Sequence, residues 1–431
     1  MKGVLLALLA LTGIVTIAAG ERGTHPPALR HVKTFAYYGL NGTNAAVPPA
    51  VMAQHVDIVE DDGFTAEHAE AFKRAGGRIA LAYTDPAYVP HCVPPFTPPA
   101  GACSGPIGDR LGGDESAFVH DAQGARIHRF GGEQFQYQEV LNVTRPAAWR
   151  AYARTTAAIL QHAPRLDGFV ADDSGSTLSY AGRERGSNFY YGFNAAGADI
   201  ESDGAFIDGE SGMLAAAGKP VIVNGGDPTT WGPAYGGRFL DLRAVMGQMF
   251  EGCFNNAGRY LYTDVDDKFR REENGLLAVI AHRKLALCFP TGDASPDHRL
   301  YAYASFLLSY DPAFSVFATN IPLADGLTLA PETQLVPFRP RTSASEIDRL
   351  RQGGVYVREF ADCTIDGADV GACAAVVNPA SKDEADLPSL AHGYAHRIAL
   401  DDQSVLHGGK VRVVAGVPRR LAPASAAILV R

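Results

Sequence analysis

From Lys33 onward, short apolar runs alternate with longer stretches whose apolar positions recur every three or four residues. The short runs are Lys33–Tyr38, His55–Glu60, Arg78–Tyr83, Leu166–Ala171, Pro220–Asn224, Ala244–Phe250, Lys284–Phe289 and Phe314–Ala318. Most are apolar at both odd and even positions, the mark of parallel strands buried on both faces. Helical periodicity occupies Thr65–Ala75, Pro146–His162, Ala205–Ala217, Glu272–His282 and Asp297–Ser309. Thr65 stands as a cap at the start of one of these, and Gly76-Gly77 and Gly218 stand as stops. Eight strand–helix repeats within about 290 residues predict closure into a (β/α)8 TIM barrel. A doubly wound open sheet is the other architecture the alternation allows, because periodicity does not encode closure.

Two stretches depart from the rhythm. Residues Asp85 to Gln138 are rich in Pro and Gly and read as an enlarged loop after the third strand, on the face where barrel enzymes build their clefts. After about residue 325 the helical pattern fades, apart from Ser343–Arg351, and strand-like runs follow at Gly354–Phe360, Ala374–Asn378, His396–Leu400, Val411–Val414 and Ala426–Val430. These predict an α/β chain with a barrel over 31–325 and a small antiparallel β-domain, sandwich-like, over 326–431, packed directly on the barrel.

Composition narrows the class. Residues 1–20 combine a basic start, an apolar core and a small-residue end, the pattern of a secretory signal, and no later run is apolar enough for a membrane span. The formal charge of −9 argues against nucleic acid as a partner and suits a neutral or cationic ligand. Six cysteines allow fifteen pairings. Neighbour pairing, Cys92–Cys103, Cys253–Cys288 and Cys363–Cys373, closes short loops and ties adjacent strands, and is favoured in an oxidising compartment. No CxxC or Cys/His cluster marks a metal site. Asn41-Gly-Thr and Asn142-Val-Thr match glycosylation sequons.

Barrel enzymes carry their chemistry at strand C-termini. The fourth strand ends at Asp172-Asp173, and the sixth breaks from an apolar run straight into Glu251. Two carboxylates facing one cavity are what glycosidic-bond hydrolysis requires: one protonates the leaving oxygen while the other attacks the anomeric carbon or activates water. Alternation along the fourth strand favours Asp172 over Asp173 as the catalytic group. Asp61 and Asp62 at the second strand end, Tyr37, Tyr38 and Tyr83 at the first and third, Asp173, and Asn224 at the fifth are candidate substrate contacts. Asp293 is a weaker candidate. A GxSxG elbow, a GxGxxG loop, a Walker motif and HExxH are all absent from the sequence, so no nucleotide cofactor or catalytic metal is expected.

The segments Tyr37-Tyr38-Gly, Val56 to Asp62, Asp167-Gly-Phe-Val-Ala-Asp172 and Met249-Phe-Glu251 resemble exported barrel glycosidases, the group that includes endo-α-1,4-polygalactosaminidases. The resemblance covers roughly residues 33–320 and implies a nucleophile at Asp172 and a general acid/base at Glu251. The enlarged third loop, the C-terminal domain and the cysteines depart from that pattern and leave the sugar open. Two other classes remain: a non-catalytic carbohydrate-binding protein on a degenerate barrel, and a metal-assisted hydrolase built on Asp61, Asp62, Asp172 and Asp173.

Overall fold

The computed structural model describes residues 30–37, 44, 46–61, 66–90, 114–120, 123–126, 129–130, 138–174, 192–193, 203–225, 236–256, 259–260, 267–318, 321–390 and 393–431. The expected signal, the Asn41 sequon, Cys92 and Cys103, and most of the enlarged third loop lie outside these residues. Eight parallel strands follow one another around a single sheet: β1 (Phe35–Tyr37), β2 (Ile58–Asp61), β3 (Ile79–Thr84), β4 (Gly168–Ala171), β5 (Val221–Asn224), β6 (Val245–Asn256), β7 (Leu285–Thr291) and β8 (Ser315–Phe317). A parallel bridge between Thr34 and Phe317, with Phe317 N–H donating to Lys33 O at 2.9 Å, brings the last strand back to the first. The sheet closes, and the open doubly wound alternative falls away.

Helices α1 (Pro49–His55), α2 (Ala66–Arg74), α3 (Pro146–His162), α4 (Asp203–Ala217), α5 (Gly236–Asp241), α6 (Lys268–Ala281) and α7 (Pro296–Ser309) connect the strands. Inside the barrel, alternate residues of the strands meet as one apolar plug of Phe35, Ile58, Leu81, Val170, Ile222, Met249, Leu287, Phe289, Val316 and Ala318. Each side chain of this size taken out of water stabilises the fold by roughly 1.5–3 kcal/mol, which makes the interior a packed floor rather than a channel. The outward-facing alternates pack under the helices.

α7 is buried on nearly every side, from Tyr301 to Ser309, so its sequence is apolar all round rather than on one stripe. One side lies on the barrel. The other lies on an antiparallel sheet of β9 (Leu335–Pro340), β10 (Val355–Ile365), β11 (Ala368–Asn378), β12 (His396–Leu400), β13 (Val411–Ala415) and β14 (Ser425–Val430), in the order β9-β10-β11-β14-β12-β13, with the short strand Arg351–Gln352 also paired to β10. Its far face packs Val355, Val357, Val376 and Leu429 against Leu421 and Ala385, which belong to a two-stranded ribbon of Ala385–Asp386 and Arg420–Leu421. The sandwich therefore has one large sheet and one minimal one. Cys363–Cys373 joins β10 to β11.

Asn142 is fully buried and its carboxamide oxygen accepts the Thr144 hydroxyl at 2.6 Å. That sequon is inaccessible in the folded chain.

Candidate active site

The interior floor ends one layer below the barrel mouth. Two residues further along each strand, alternation returns a side chain to the interior, and at this level polar groups replace hydrophobes: Tyr37 after Phe35, Glu60 after Ile58, Tyr83 after Leu81, Asp172 after Val170, Asn224 after Ile222 and Glu251 after Met249. The site is thus a ring of polar residues on an apolar floor.

Asp172 is held by its neighbours on both sides. Its Oδ2 accepts the Tyr83 hydroxyl at 2.9 Å, and its Oδ1 accepts the Asn224 amide at 2.7 Å and the Asp173 backbone N–H at 2.9 Å. Three donors converge on its two oxygens and fix the orientation of the carboxyl group. The Asp172 backbone N–H itself donates to Thr84 O at 2.8 Å, which fixes the strand end against β3. On the other side, Ser174 N–H donates to Asn224 O at 2.7 Å. This close approach needs Gly225: its φ is 113°, and a Cβ there would lie 2.5 Å from Ser174 O.

The same Asn224 nitrogen that reaches Asp172 also donates to Glu251 Oε2 at 2.9 Å. One nitrogen bonded to both oxygens sets a limit: the Asp172 and Glu251 oxygens are at most 5.6 Å apart, the sum of 2.7 and 2.9 Å. Neither carboxylate points into packed core. Glu251 reaches solvent. Even so, desolvation by the crowded rim, first, and the Asp172 carboxylate, second, hold its carboxyl above its ordinary value, with the Asn224 bond acting in the opposite direction. Like-charge repulsion acts on a side chain open to water as well as on a closed one, so the direction holds despite the exposure. The Tyr83 phenol is pushed well up by burial and then by Asp172, Asp85 and Asp173, which keeps it a proton donor to Asp172.

The other sequence candidates separate. Tyr37 is wedged edge-on between Phe35 and Phe289, at centroid distances of 5.1 and 5.0 Å, and its hydroxyl donates to Met249 Sδ at 3.5 Å. It belongs to the floor of the mouth. Asp173 takes a left-handed backbone, φ 50°, and its N–H donates to Asp172. Asp293 sits beyond β7, where its carboxylate caps the start of α7 through Ser295 N–H at 2.7 Å and pairs with His298 at 3.1 Å. Tyr38, Asp62 and the Asp61 side chain lie outside the described residues, and with them the site of the metal-assisted alternative; among the described residues no three His, Cys, Asp or Glu side chains form a metal-holding group. Glu60 was not anticipated. It is fully buried and stands in register between Tyr37 and Leu81, and the signal that finds it is the two-residue step from Ile58.

No protein-family model matches the chain, nor does any curated protein. Solved structures resemble it. A variant of the glycoside hydrolase domain of PelA from Pseudomonas aeruginosa is 15% identical over 68% of this chain and 94% of its own, with a TM-score of 0.42. Aspergillus fumigatus Ega3, solved with galactosamine, is 13% identical over 72% and 96%, at 0.38. The α-galactosidase from Lactobacillus brevis is 10% identical over 93% of this chain and 55% of its own, at 0.43. The chain's own strands make it a (β/α)8 barrel followed by an antiparallel β-structure.

Proposed function

We propose that the chain is an exported glycoside hydrolase that cleaves a glycosidic bond in an extracellular poly- or oligosaccharide with retention of configuration. The observation that carries this is the single Asn224 nitrogen shared by Asp172 and Glu251. A limit of 5.6 Å on one pair of their oxygens favours the ~5–5.5 Å spacing of retaining pairs over the ~6.5–9.5 Å of inverting pairs, which hold a water between them.

The two carboxyls divide the work by environment. Asp172, accepting three donors, is the nucleophile: its carboxylate attacks the anomeric carbon while Glu251 gives its proton to the departing oxygen, leaving a glycosyl ester on Asp172. Esterification removes the negative charge that helped raise Glu251, so the same group then serves as base. It takes a proton from water, the hydroxide oxygen bonds to the anomeric carbon, and the Asp172 carboxylate is released. Tyr83 and Asn224 hold the nucleophile throughout.

The described ionisable carboxyls of the mouth, Glu60, Asp172 and Glu251, suit a neutral or cationic sugar. Together with the resemblance of the strand ends, that makes the polygalactosaminidase-like group the finer assignment, with α-1,4-linked galactosamine polymers the first substrate to try. The buried disulfides fit an oxidising compartment. A polysaccharide panel scored for new reducing ends is the test. Asp172→Asn and Glu251→Gln should each abolish turnover in folded protein, and the first-formed anomer, read by proton NMR, should match the substrate's. Wild-type turnover in either variant, or an inverted first product, overturns the assignment.

A further inference from the structure

The strand that presents Glu251 does not stop at the barrel rim. Gly247 to Glu251 stand in register with Leu285 to Phe289, but the next pair is Asn256 with Thr291. Gly252, Cys253, Phe254 and Asn255 therefore face Pro290 alone. Proline has no N–H to give to the ladder, and an interruption costs least beside it. Two of the four bulge residues hold left-handed backbone, Gly252 at φ 77° and Phe254 at φ 57°. A bulky residue keeps that conformation only where its surroundings over-determine it.

Two contacts do so. The Phe254 ring is fully buried, with its centroid 5.5 Å from that of Phe269. Cys253, between the two left-handed residues, is bonded to Cys288 across a Cα separation of 5.3 Å, and both cysteines are fully buried. Cys288 is the register partner of Phe250, the residue immediately before Glu251. The bond thus fastens the residue two places beyond Glu251 to the neighbouring strand at a level one place below it, and Glu251 lies between the two anchor points.

We propose that the Cys253–Cys288 disulfide is a positioning device for Glu251, pinning the bulge so that the carboxylate stays within reach of Asn224 and beside Asp172. This deepens the glycosidase reading and rests on it for its catalytic meaning, while the geometric claim stands on the bulge alone. Without the bond, the bulge keeps the Phe254 packing, the Asn255 amide on Asp293 O at 3.3 Å and the antiparallel pairing of Asn255 and Asn256 with Tyr260 and Arg259, all of which lie beyond Cys253, and Glu251 drifts outward toward water. The titratable groups it would leave behind, among the described residues, are Asp172 and, through Asp172, Tyr83.

The test compares Cys253→Ala/Cys288→Ala with wild type and with Cys363→Ala/Cys373→Ala, which removes the disulfide of the C-terminal sheet. Labelling of Glu251 by a water-soluble carbodiimide, followed across pH by peptide mass mapping, reports its protonated fraction and needs no substrate. The midpoint should lie above the ordinary carboxylate range in wild type and in the C-terminal control, and fall toward that range in Cys253→Ala/Cys288→Ala. On a cleaved polysaccharide, kcat should drop about 100-fold, the scale of an ångström of misplacement, with KM little changed and the alkaline limb of the profile moved to lower pH. A folded variant with the wild-type labelling midpoint overturns the proposal and reduces the bond to a stabilising crosslink. Should the double variant fail to fold, wild-type protein reduced by a phosphine and verified by alkylation gives the same readout. Absence of turnover in wild type would remove the glycosidase reading and leave the labelling result to decide this one.

Discussion

Removing Arg299 should cost more stability than removing it together with its partner. Arg299, in the first turns of α7, donates through Nε to Glu332 Oε1 at 3.1 Å and through Nη2 to Oε2 at 2.7 Å, while Nη1 reaches Asp401 O at 2.9 Å. The two side chains are 0% and 1% exposed, so the pair is a dry fork linking the barrel to the turn before β9 and to the residue after β12. Arg299→Met leaves the Glu332 carboxylate buried without its partner, at a cost of roughly 3–5 kcal/mol, and Glu332→Leu strands the guanidinium similarly. In Arg299→Met/Glu332→Leu no charge is left, and the remaining deficit is the unmet Asp401 carbonyl, about 1–3 kcal/mol. Unfolding entropy near 2.1 cal/mol/K per residue makes each kcal/mol about 1 °C in a chain this long, so the singles should melt about 3–5 °C early. Urea titrations of all four proteins, followed by circular dichroism, give the cycle. Singles within 1 kcal/mol of wild type, or a double variant as unstable as the sum of the singles, would refute the reasoning.

Two further outcomes concern the site. Tyr83→Phe and Asn224→Ala each remove a donor from the Asp172 carboxylate; hydrogen bonds to charged groups are worth about 1.5–3 kcal/mol, so kcat should fall about 10- to 150-fold in each, and unchanged steady-state kinetics would dissociate these residues from the nucleophile. Glu251→Gln should melt above wild type at neutral pH: a carboxyl raised in the folded state binds its proton more tightly folded than unfolded, so it subtracts stability as pH rises from the unfolded value through the folded one. The gain should vanish below the ordinary carboxylate range, and calorimetry showing the same difference at every pH would contradict it.

The barrel was legible because its strands are buried on both faces. Each of the eight apolar runs became a strand, and the helix expected at Pro146–His162 has those boundaries. The elements that escaped are ones whose signal is physically weak. α1 and α5 span 7 and 6 residues, too few turns for a period of 3.6 to show against background. β9 carries Pro337 and Pro340, which read as a strand breaker; it sits at the edge of its sheet, the position where the missing N–H goes unneeded.

The candidate site was half legible, and the half that was missed follows from the same rule that found the rest. Asp172 was separated from Asp173 by asking which of two adjacent side chains shares the parity of the interior residue before it. Val170 is interior, so Asp172 is too. Applied to the second strand, where Ile58 is interior, the rule excludes Asp61 and makes Glu60 the first polar residue of interior parity, with Asp62 one step further on; the run of three acids there drew attention past Glu60. Applied to β5 and β6, it carries Ile222 to Asn224 and Met249 to Glu251, the two partners that the shared amide nitrogen joins. The two-residue step from hydrophobe to polar group is therefore the readable signature of this mouth. What alternation does not encode is the bulge beyond Glu251, because it arises where four residues of one strand meet a proline of another 35 residues away through a disulfide. That long-range pairing flanks Glu251 on both sides, and only the folded chain displays it.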